Sequence, residues 1–541
     1  MPQSSRFGFA EGVKWAGLVL GPVLALLAYA LLPQATSGDP SGIDQPGLTD
    51  AGRAAAAVGV LMACWWLTEA IPISATALVP IALMPAVGAA PIGEITARYG
   101  HPLIFLFLGG FILGLGMERW GLHRRIALIT IRLVGVRPTR LIAGFMIATA
   151  MLSMFVSNTA TAIMMLPIGT SVIELIRRRT TDPDQAAHVP AFATCLMLAI
   201  AYAASIGGLG TLIGTPPNTV LAGFVSDRFG VTIGFVGWMK LAIPVVLVML
   251  PIAWLYLTRV AQPVRIDRIP GGRELIDHEL RELGPVSRGE WIVFAVFLVT
   301  AASWILRPQF VTIGQAVAWG ADALHLAPWA QTIGTLPAAS ARIISFASPL
   351  AHLSDTGIAI AAALALFAIP VDPRRRVFAM DWETAIKLPW GVLLLFGGGL
   401  ALAHAISVNG VDSFIGATFI SLRGAPVIII TLAIAAGVIF LTELTSNTAV
   451  TSALLPVLAA AAVSMGVDYH VLLLPATLAA SCAFMLPVAT PPNAIVFSSS
   501  AVTIQQMVRA GFWLNLIGII IITLMITLLG DTLLPPSLGN L

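Results

Sequence analysis

Two tripeptides in this chain carry chemistry in unusual surroundings: Ser157-Asn158-Thr159 and Ser446-Asn447-Thr448, each followed by alanine and each set inside a long apolar stretch. Serine and asparagine favour turns and helix starts, because their side chains bond the nearby backbone. Each tripeptide is therefore expected at the tip of a helical hairpin, opening its second helix. A helix N-terminus offers free N–H donors and a partial positive charge to an anion. The amide and hydroxyls add further donors, and their oxygens can also face a cation. No acid lies within either tripeptide. That favours a neutral donor site for an anion over a carboxylate site for protons or organic cations. Glu443, the nearest acid, is expected to serve a polar neighbour, since intramembrane charges are usually paired.

A second motif also occurs twice. Gly214-Thr215-Pro216-Pro217-Asn218 and Ala489-Thr490-Pro491-Pro492-Asn493 interrupt apolar runs. Consecutive prolines remove backbone donors and break a helix. At membrane depth such a break is tolerated where it is buried in protein or lines a cavity. The freed carbonyls are hard oxygen ligands suited to sodium, by analogy with other hard cations.

Other chemistries find no support. The histidines form no HExxH or paired metal spacing, and His101, His123 and His470 fall near span ends, where a solvated or interfacial role is expected. Cys64, Cys195 and Cys482 lie in separate apolar stretches without CxxC spacing. Gly-x-Ser-x-Gly is absent, so no enzyme is indicated.

The elements that must position these motifs follow from composition. Of 541 residues, 58% are hydrophobic and 10% charged, against roughly 25% charged in soluble domains. This is an all-α polytopic membrane protein. A membrane helix needs about 20 mostly apolar residues, which places spans near 13–32, 53–70, 72–90, 103–118, 190–224, 236–258, 290–306, 343–369, 389–406, 470–498 and 511–534. Two stretches, 141–176 and 425–463, are too long for one crossing and carry the tripeptides at their middles. They read as re-entrant hairpins. Charge then orients the chain. Arg119, Arg124, Arg125, Arg132, Arg137 and Arg140, the triplets Arg177–Arg179 and Arg374–Arg376, and the linker 259–289 all fall inside when the N-terminus is inside. The loop 33–52 has no Lys or Arg and carries Asp39, Asp44 and Asp50, and the loop 307–342 has arginines only at its ends; both fall outside. Eleven spans put the C-terminus outside, in a cell (bacterial inner) membrane. The polar linker reads as a solvated connector or amphipathic helix.

The chain repeats itself. Phe107-Leu108-Gly109-Gly110, Gly121, the first tripeptide and Pro167 recur at a constant offset of 289 residues, as Phe396-Gly397-Gly398-Gly399, Gly410, the second tripeptide and Pro456. The Thr-Pro-Pro-Asn motif recurs at an offset of 275. The units are 53–258 and 290–541, after an N-terminal segment 1–52. Each holds five spans and a hairpin, an odd number of crossings, so the second is inverted. Inverted repeats with broken helices are the architecture of secondary transporters, with the site at the repeat interface. A channel would lack this strict pairing.

With these motifs and the segment Trp65-Trp66-Leu67-Thr68-Glu69-Ala70-Ile71-Pro72, the sequence resembles the divalent anion/sodium symporter family over about 53–530. The resemblance implies a homodimer in which each subunit has a scaffold and a transport domain that slides as an elevator, with 119–135 and 408–422 as horizontal arms. It implies sodium as coupling ion at two or more sites: Ser153, Ser157, Asn158 and Gly214 at one tip, and Thr442, Thr445, Asn447 and Ala489 at the other. It places the substrate carboxylates against Asn158, Thr159, Asn447 and Thr448, with Thr215, Pro216, Thr490 and Pro491 close by. The function implied is sodium-coupled symport of a C4-dicarboxylate such as succinate, malate or fumarate. Sulfate or citrate transport, or sodium-independent dicarboxylate exchange, are the alternatives.

Overall fold

A bilayer interior supplies no water to backbone N–H and C=O groups, so a chain this apolar must satisfy them within each segment, and helices do so. The computed structural model describes residues 8–35, 47–180, 182–266, 268, 269, 271–326, 350 and 352–533. Nearly all of the ordered elements among these residues are helices. The first part comprises α1 (Gly8–Leu31), α2 (Asp50–Thr68), the short α3 (Ile73–Thr76), α4 (Val79–Ala86) and α5 (Ile92–Ala97), then α6 (Pro102–Arg119) and α7 (Leu122–Val134). It continues through α8 (Pro138–Ser153), α9 (Asn158–Arg179), α10 (Pro183–Ala186), α11 (Val189–Gly208), α12 (Pro216–Phe229) and α13 (Phe235–Tyr256). The linker contributes α14 (Gly272–Glu282).

The second part comprises α15 (Arg288–Leu326), α16 (Asp355–Ala368), a hairpin of β1 (Pro370–Asp372) with β2 (Val377–Phe378), and α17 (Trp382–Ala385). It ends with α18 (Trp390–Val408), α19 (Val411–Ala417), α20 (Val427–Thr442), α21 (Asn447–Met465), α22 (Tyr469–Ala480), α23 (Pro491–Ser498) and α24 (Ile504–Leu533). Among the described residues, 10 helices are long and apolar enough to cross a membrane.

The internal repeat is visible helix by helix. The offset of 289 residues maps α8 onto α20 end for end, and maps the first residue of α9 onto that of α21. The offset of 275 maps the start of α12 onto the start of α23.

Two expectations need revision. The span near 72–90 is not one helix. It turns at Ala77, between α3 and α4, with Pro80 in the first turn of α4. The turn is pinned from two sides. The Tyr99 hydroxyl donates to the Ala77 carbonyl, and α18 presses so close at Gly398 that any Cβ there would collide with the same carbonyl. His470 is not interfacial in its exposure, since it is only 3% accessible. The linker carries the amphipathic helix that is one of its two expected forms: α14 buries Ile276 and is tied to α7 by Arg124–Glu279 at 2.6 Å and Arg132–Asp277 at 2.8 Å. Arg125 is likewise paired with Glu290 at 2.6 Å. The beginning of the expected span 343–369, much of the loop 307–342, Asp39, Asp44, Asp267 and the C-terminus lie outside the described residues.

Candidate functional site

Each tripeptide sits where its residue types predict. Ser157 is the N-cap of α9, and its Oγ accepts from the Ala160 N–H at 3.2 Å. Ser446 is the N-cap of α21. Asn158 and Asn447 are therefore first helical residues, with backbone N–H groups that have no partner inside the helix.

The proline motifs act by starting helices. Pro216 and Pro217 open α12, and Pro491 and Pro492 open α23, positions at which a missing N–H costs nothing. The unwound chain lies just before them, at 209–215 and 481–490. The last residue of each motif holds that chain in shape. Asn218 Nδ2 lies within donor reach of the carbonyls of Gly208 (3.1 Å), Leu209 (3.3 Å) and Thr211 (2.8 Å). Asn493 Nδ2 donates to Ala483 (3.2 Å) and Leu486 (3.0 Å). Both asparagines are fully buried. The sequence shows these asparagines as part of a repeated motif. Their reach back across the break is a tertiary fact.

Both tips and both breaks line a single cavity of about 850 Å³. Its lining includes Ser157, Asn158, Thr159, Gly214, Thr215 and Pro216 from the first repeat. From the second it includes Thr445, Asn447, Thr448, Ala489, Thr490 and Pro491. Ser153 and Thr442 stand behind the wall, with no accessible surface.

Those two buried hydroxyls define matching clusters of oxygen. Ser153 Oγ donates to Ala204 O at 2.7 Å. One terminal atom of the Asn158 amide lies 2.5 Å from Ser153 Oγ, 3.2 Å from Ala204 O and 3.3 Å from Gly214 O. With nitrogen in that place, the amide donates to both carbonyls. With oxygen there, four oxygens converge around one hydroxyl proton, which is a ligand set for a small hard cation. In the second repeat Thr442 Oγ1 lies 3.0 Å from Ala480 O and 2.7 Å from Asn447 Oδ1. Thr445 turns its hydroxyl proton to Leu441 O at 3.0 Å, leaving its oxygen lone pairs at the tip. Gly208 is required here, because a Cβ would come within 2.6 Å of the Asn158 amide. Nothing in the local sequence singles Gly208 out.

The two breaks are held differently. At the first, the Thr211 hydroxyl donates to the Met154 carbonyl of the tip. Trp238 Nε1 donates to Leu209 O at 2.8 Å. At the second, Glu443 holds the chain as an acceptor. Its Oε1 accepts from the N–H groups of Phe484 (2.7 Å) and Met485 (2.9 Å) and from Asn515 Nδ2 (2.7 Å). Its Oε2 accepts from the Leu486 N–H at 3.0 Å. As expected, the acid serves a polar neighbour, Asn515 of α24, and it also holds the unwound backbone of the second break. Tyr202 Oη then joins the repeats by donating to Phe484 O at 2.9 Å.

Charged residues reach the cavity only on its far walls. Glu69, Glu118 and Lys387 line it. Glu69 is paired with Lys14 at 3.5 Å. Beside Glu118, Arg119 meets Asp381 at 2.5 Å. Burial works against the Asp381 carboxylate, but hydrogen bonds from Thr384 and Arg119 outweigh it and hold its carboxyl below the usual range. Lys387 is an exposed cation on this wall that sequence reasoning did not find. Among the described residues no group of three or more His, Cys, Asp or Glu could hold a metal ion.

A helical membrane fold with two broken helices and two helix-starting tips around one cavity is that of a membrane transporter. The chain belongs to the family described as sodium:sulfate symporter transmembrane region, which matches residues 14–535. It is 41% identical over 527 residues to the sodium-dependent dicarboxylate transporter SdcS of Staphylococcus saprophyticus, covering 97% of this chain and 92% of that one. It is 42% identical to SdcS of Staphylococcus aureus strain USA300, covering 94% and 90%. Two solved structures share the fold. The Alcanivorax borkumensis YdaH transporter has a TM-score of 0.54 at 15% identity, over 97% of this chain and 100% of that one. Neisseria gonorrhoeae MtrF has a TM-score of 0.52 at 10% identity, over 96% and 95%.

Proposed function

We propose that this protein is a sodium-coupled symporter of a divalent anion, with a C4-dicarboxylate as its substrate. The observation that carries the reading is the single cavity into which both helix N-termini and both unwound segments converge. Neutral donors at two N-termini suit two carboxylates. The sodium-dependent dicarboxylate transporters that resemble this chain along almost its whole length support both the ion and the substrate.

The Asn158 amide supplies a physical link between ion and anion. Without sodium, its nitrogen faces the carbonyls of Ala204 and Gly214, and its oxygen faces the cavity, where it repels a carboxylate. With sodium among Ser153, Ala204 and Gly214, its oxygen turns to the ion and its nitrogen to the cavity. Sodium then prepares a donor for the substrate, which is coupling by population shift. Asn447 with Thr442, Thr445 and Ala489 forms the second ion position. Thr159, Thr448, Thr215, Pro216, Thr490 and Pro491 border the anion.

The same reading assigns the domains. The helix pairs α8–α9 and α20–α21, the broken pairs and α24 travel together as an elevator. The remaining spans form a scaffold that pairs with a second copy, and α7 and α19 are the connecting arms. The N-terminus is cytoplasmic. Sodium-gradient uptake of succinate, citrate and sulfate into proteoliposomes tests the function, with Asn158→Ala and Asn447→Ala as site controls. Normal uptake in both variants would refute the site, and strong succinate counterflow without sodium would refute the coupling.

A further inference from the structure

An ion-pair cluster lies at the ends of α6 and α18 opposite to those that line the cavity. α6 begins at the His101 cap and ends beside Glu118 on the cavity wall, a length of about 27 Å. α18 runs the other way, from Pro389 on the cavity wall to His404 and Ser407. At the His101 end, Asp227 lies 3.0 Å from Arg98 and 3.3 Å from His101. A second Arg98 nitrogen reaches His404 Nδ1 at 3.0 Å, and His404 Nε2 reaches Glu94 at 2.9 Å. The next residue, Arg228, meets Asp412 at 2.5 Å and donates to Ser407 at 3.0 Å.

Asp227 and Arg228 stand on the last turns of α12, the helix that the first proline motif begins. Their partners come from the turn after α5, the cap of α6, α18 and α19. The cluster therefore ties the far end of a cavity-lining element to four neighbours. The Asp412 side chain is only 7% exposed, and Asp227 25%. Partial burial makes such pairs stronger than solvated ones. The ring nitrogens are also committed. His101 Nδ1 accepts from the Leu103 N–H at 3.2 Å, so Nε2 carries the proton that faces Asp227.

We propose that the cluster joining Asp227 and Arg228 to Arg98, His101 and Asp412 is a latch that holds this face shut while the cavity is open at the other. The inference rests on the transport reading: a site that must open alternately to two faces must release these contacts once per cycle. Binding energy at the tips then has to exceed the latch, which makes its strength a determinant of the resting state.

The test uses one reporter thiol, Ile163→Cys, in full-length protein with Cys64, Cys195 and Cys482 replaced by serine. Ile163 lines the cavity and is 56% exposed. A membrane-impermeant maleimide is applied to each face in turn. Asp227→Asn is expected to raise labelling from the latch face about threefold to tenfold and to lower it from the other, the scale of one or two partly exposed pairs. Arg228→Gln, which breaks the pair with Asp412 and the bond to Ser407, is expected to shift labelling in the same direction. Unchanged labelling from both faces in monodisperse Asp227→Asn and Arg228→Gln protein would overturn the latch. Labelling needs no transport, so loss of the transport reading would appear separately, as absent sodium-dependent uptake in the parent.

Discussion

Glu443→Gln should uncouple one sodium position from the anion site while leaving the other. The wild-type carboxylate accepts four hydrogen bonds, three of them from consecutive N–H groups at 484–486. The amide keeps one carbonyl oxygen against Phe484, Met485 and Asn515. Its NH2 then faces the Leu486 N–H, donor against donor. An orphaned buried donor costs about 1–3 kcal/mol, and the three surviving bonds each lose about 1 kcal/mol of charge assistance. Against this, the variant no longer buries a charge, which returns several kcal/mol. A net local loss of about 2 kcal/mol is expected. The held stretch ends at Ala489, which the proposed reading places at the second ion position, so the loss should appear there. At 1.4 kcal/mol per factor of ten, it corresponds to about a thirtyfold weaker sodium affinity. Sodium titrations of succinate uptake, and of thermal stability without succinate, measure it. An unchanged sodium dependence in folded protein would refute the claim that this carboxylate shapes the second ion site.

Three further outcomes follow from the geometry. Asn218→Ala removes the amide that faces three buried carbonyls, and should lower thermal stability by about 1–3 kcal/mol; Asn493→Ala should do the same at the second break, and chemical denaturation in detergent measures both. Gly208→Ala drives a methyl group into the Asn158 amide, so sodium-dependent uptake should fall about fivefold to 150-fold for an overpacking cost of about 1–3 kcal/mol, with expression and monodispersity retained. Lys387→Gln removes an attractive charge from the cavity wall, and should raise the succinate KM about twofold to fivefold from that face, more at low ionic strength, with kcat and the opposite face unchanged.

Much of this molecule is determined locally. Ser157-Asn158-Thr159 and Ser446-Asn447-Thr448 start helices because serine and asparagine do so almost anywhere. Pro216-Pro217 and Pro491-Pro492 start helices because proline fits the first turn, where its missing N–H has no partner to lose. The constant offset of 289 residues is enough to make α8 and α20 equivalent, since a repeated pattern must fold into a repeated shape. The turn at Ala77 was not legible, because 72–90 is apolar enough for one helix. It depends on Tyr99 and Gly398, which are distant in sequence and meet Ala77 only in the folded chain.

The sequence by itself determined that the chain is a membrane protein, where the two Thr-Pro-Pro-Asn motifs and the two tripeptides interrupt its helices, and which neutral side chains stand there. The tertiary structure alone decided that both tips and both breaks share one cavity, and that Asn218, Asn493 and Glu443 hold the unwound backbone in place. The division has a physical reason. Helix starts and stops follow from contacts within a few residues, whereas a buried N–H or carbonyl left free by a break takes its partner from whichever segment folding brings beside it.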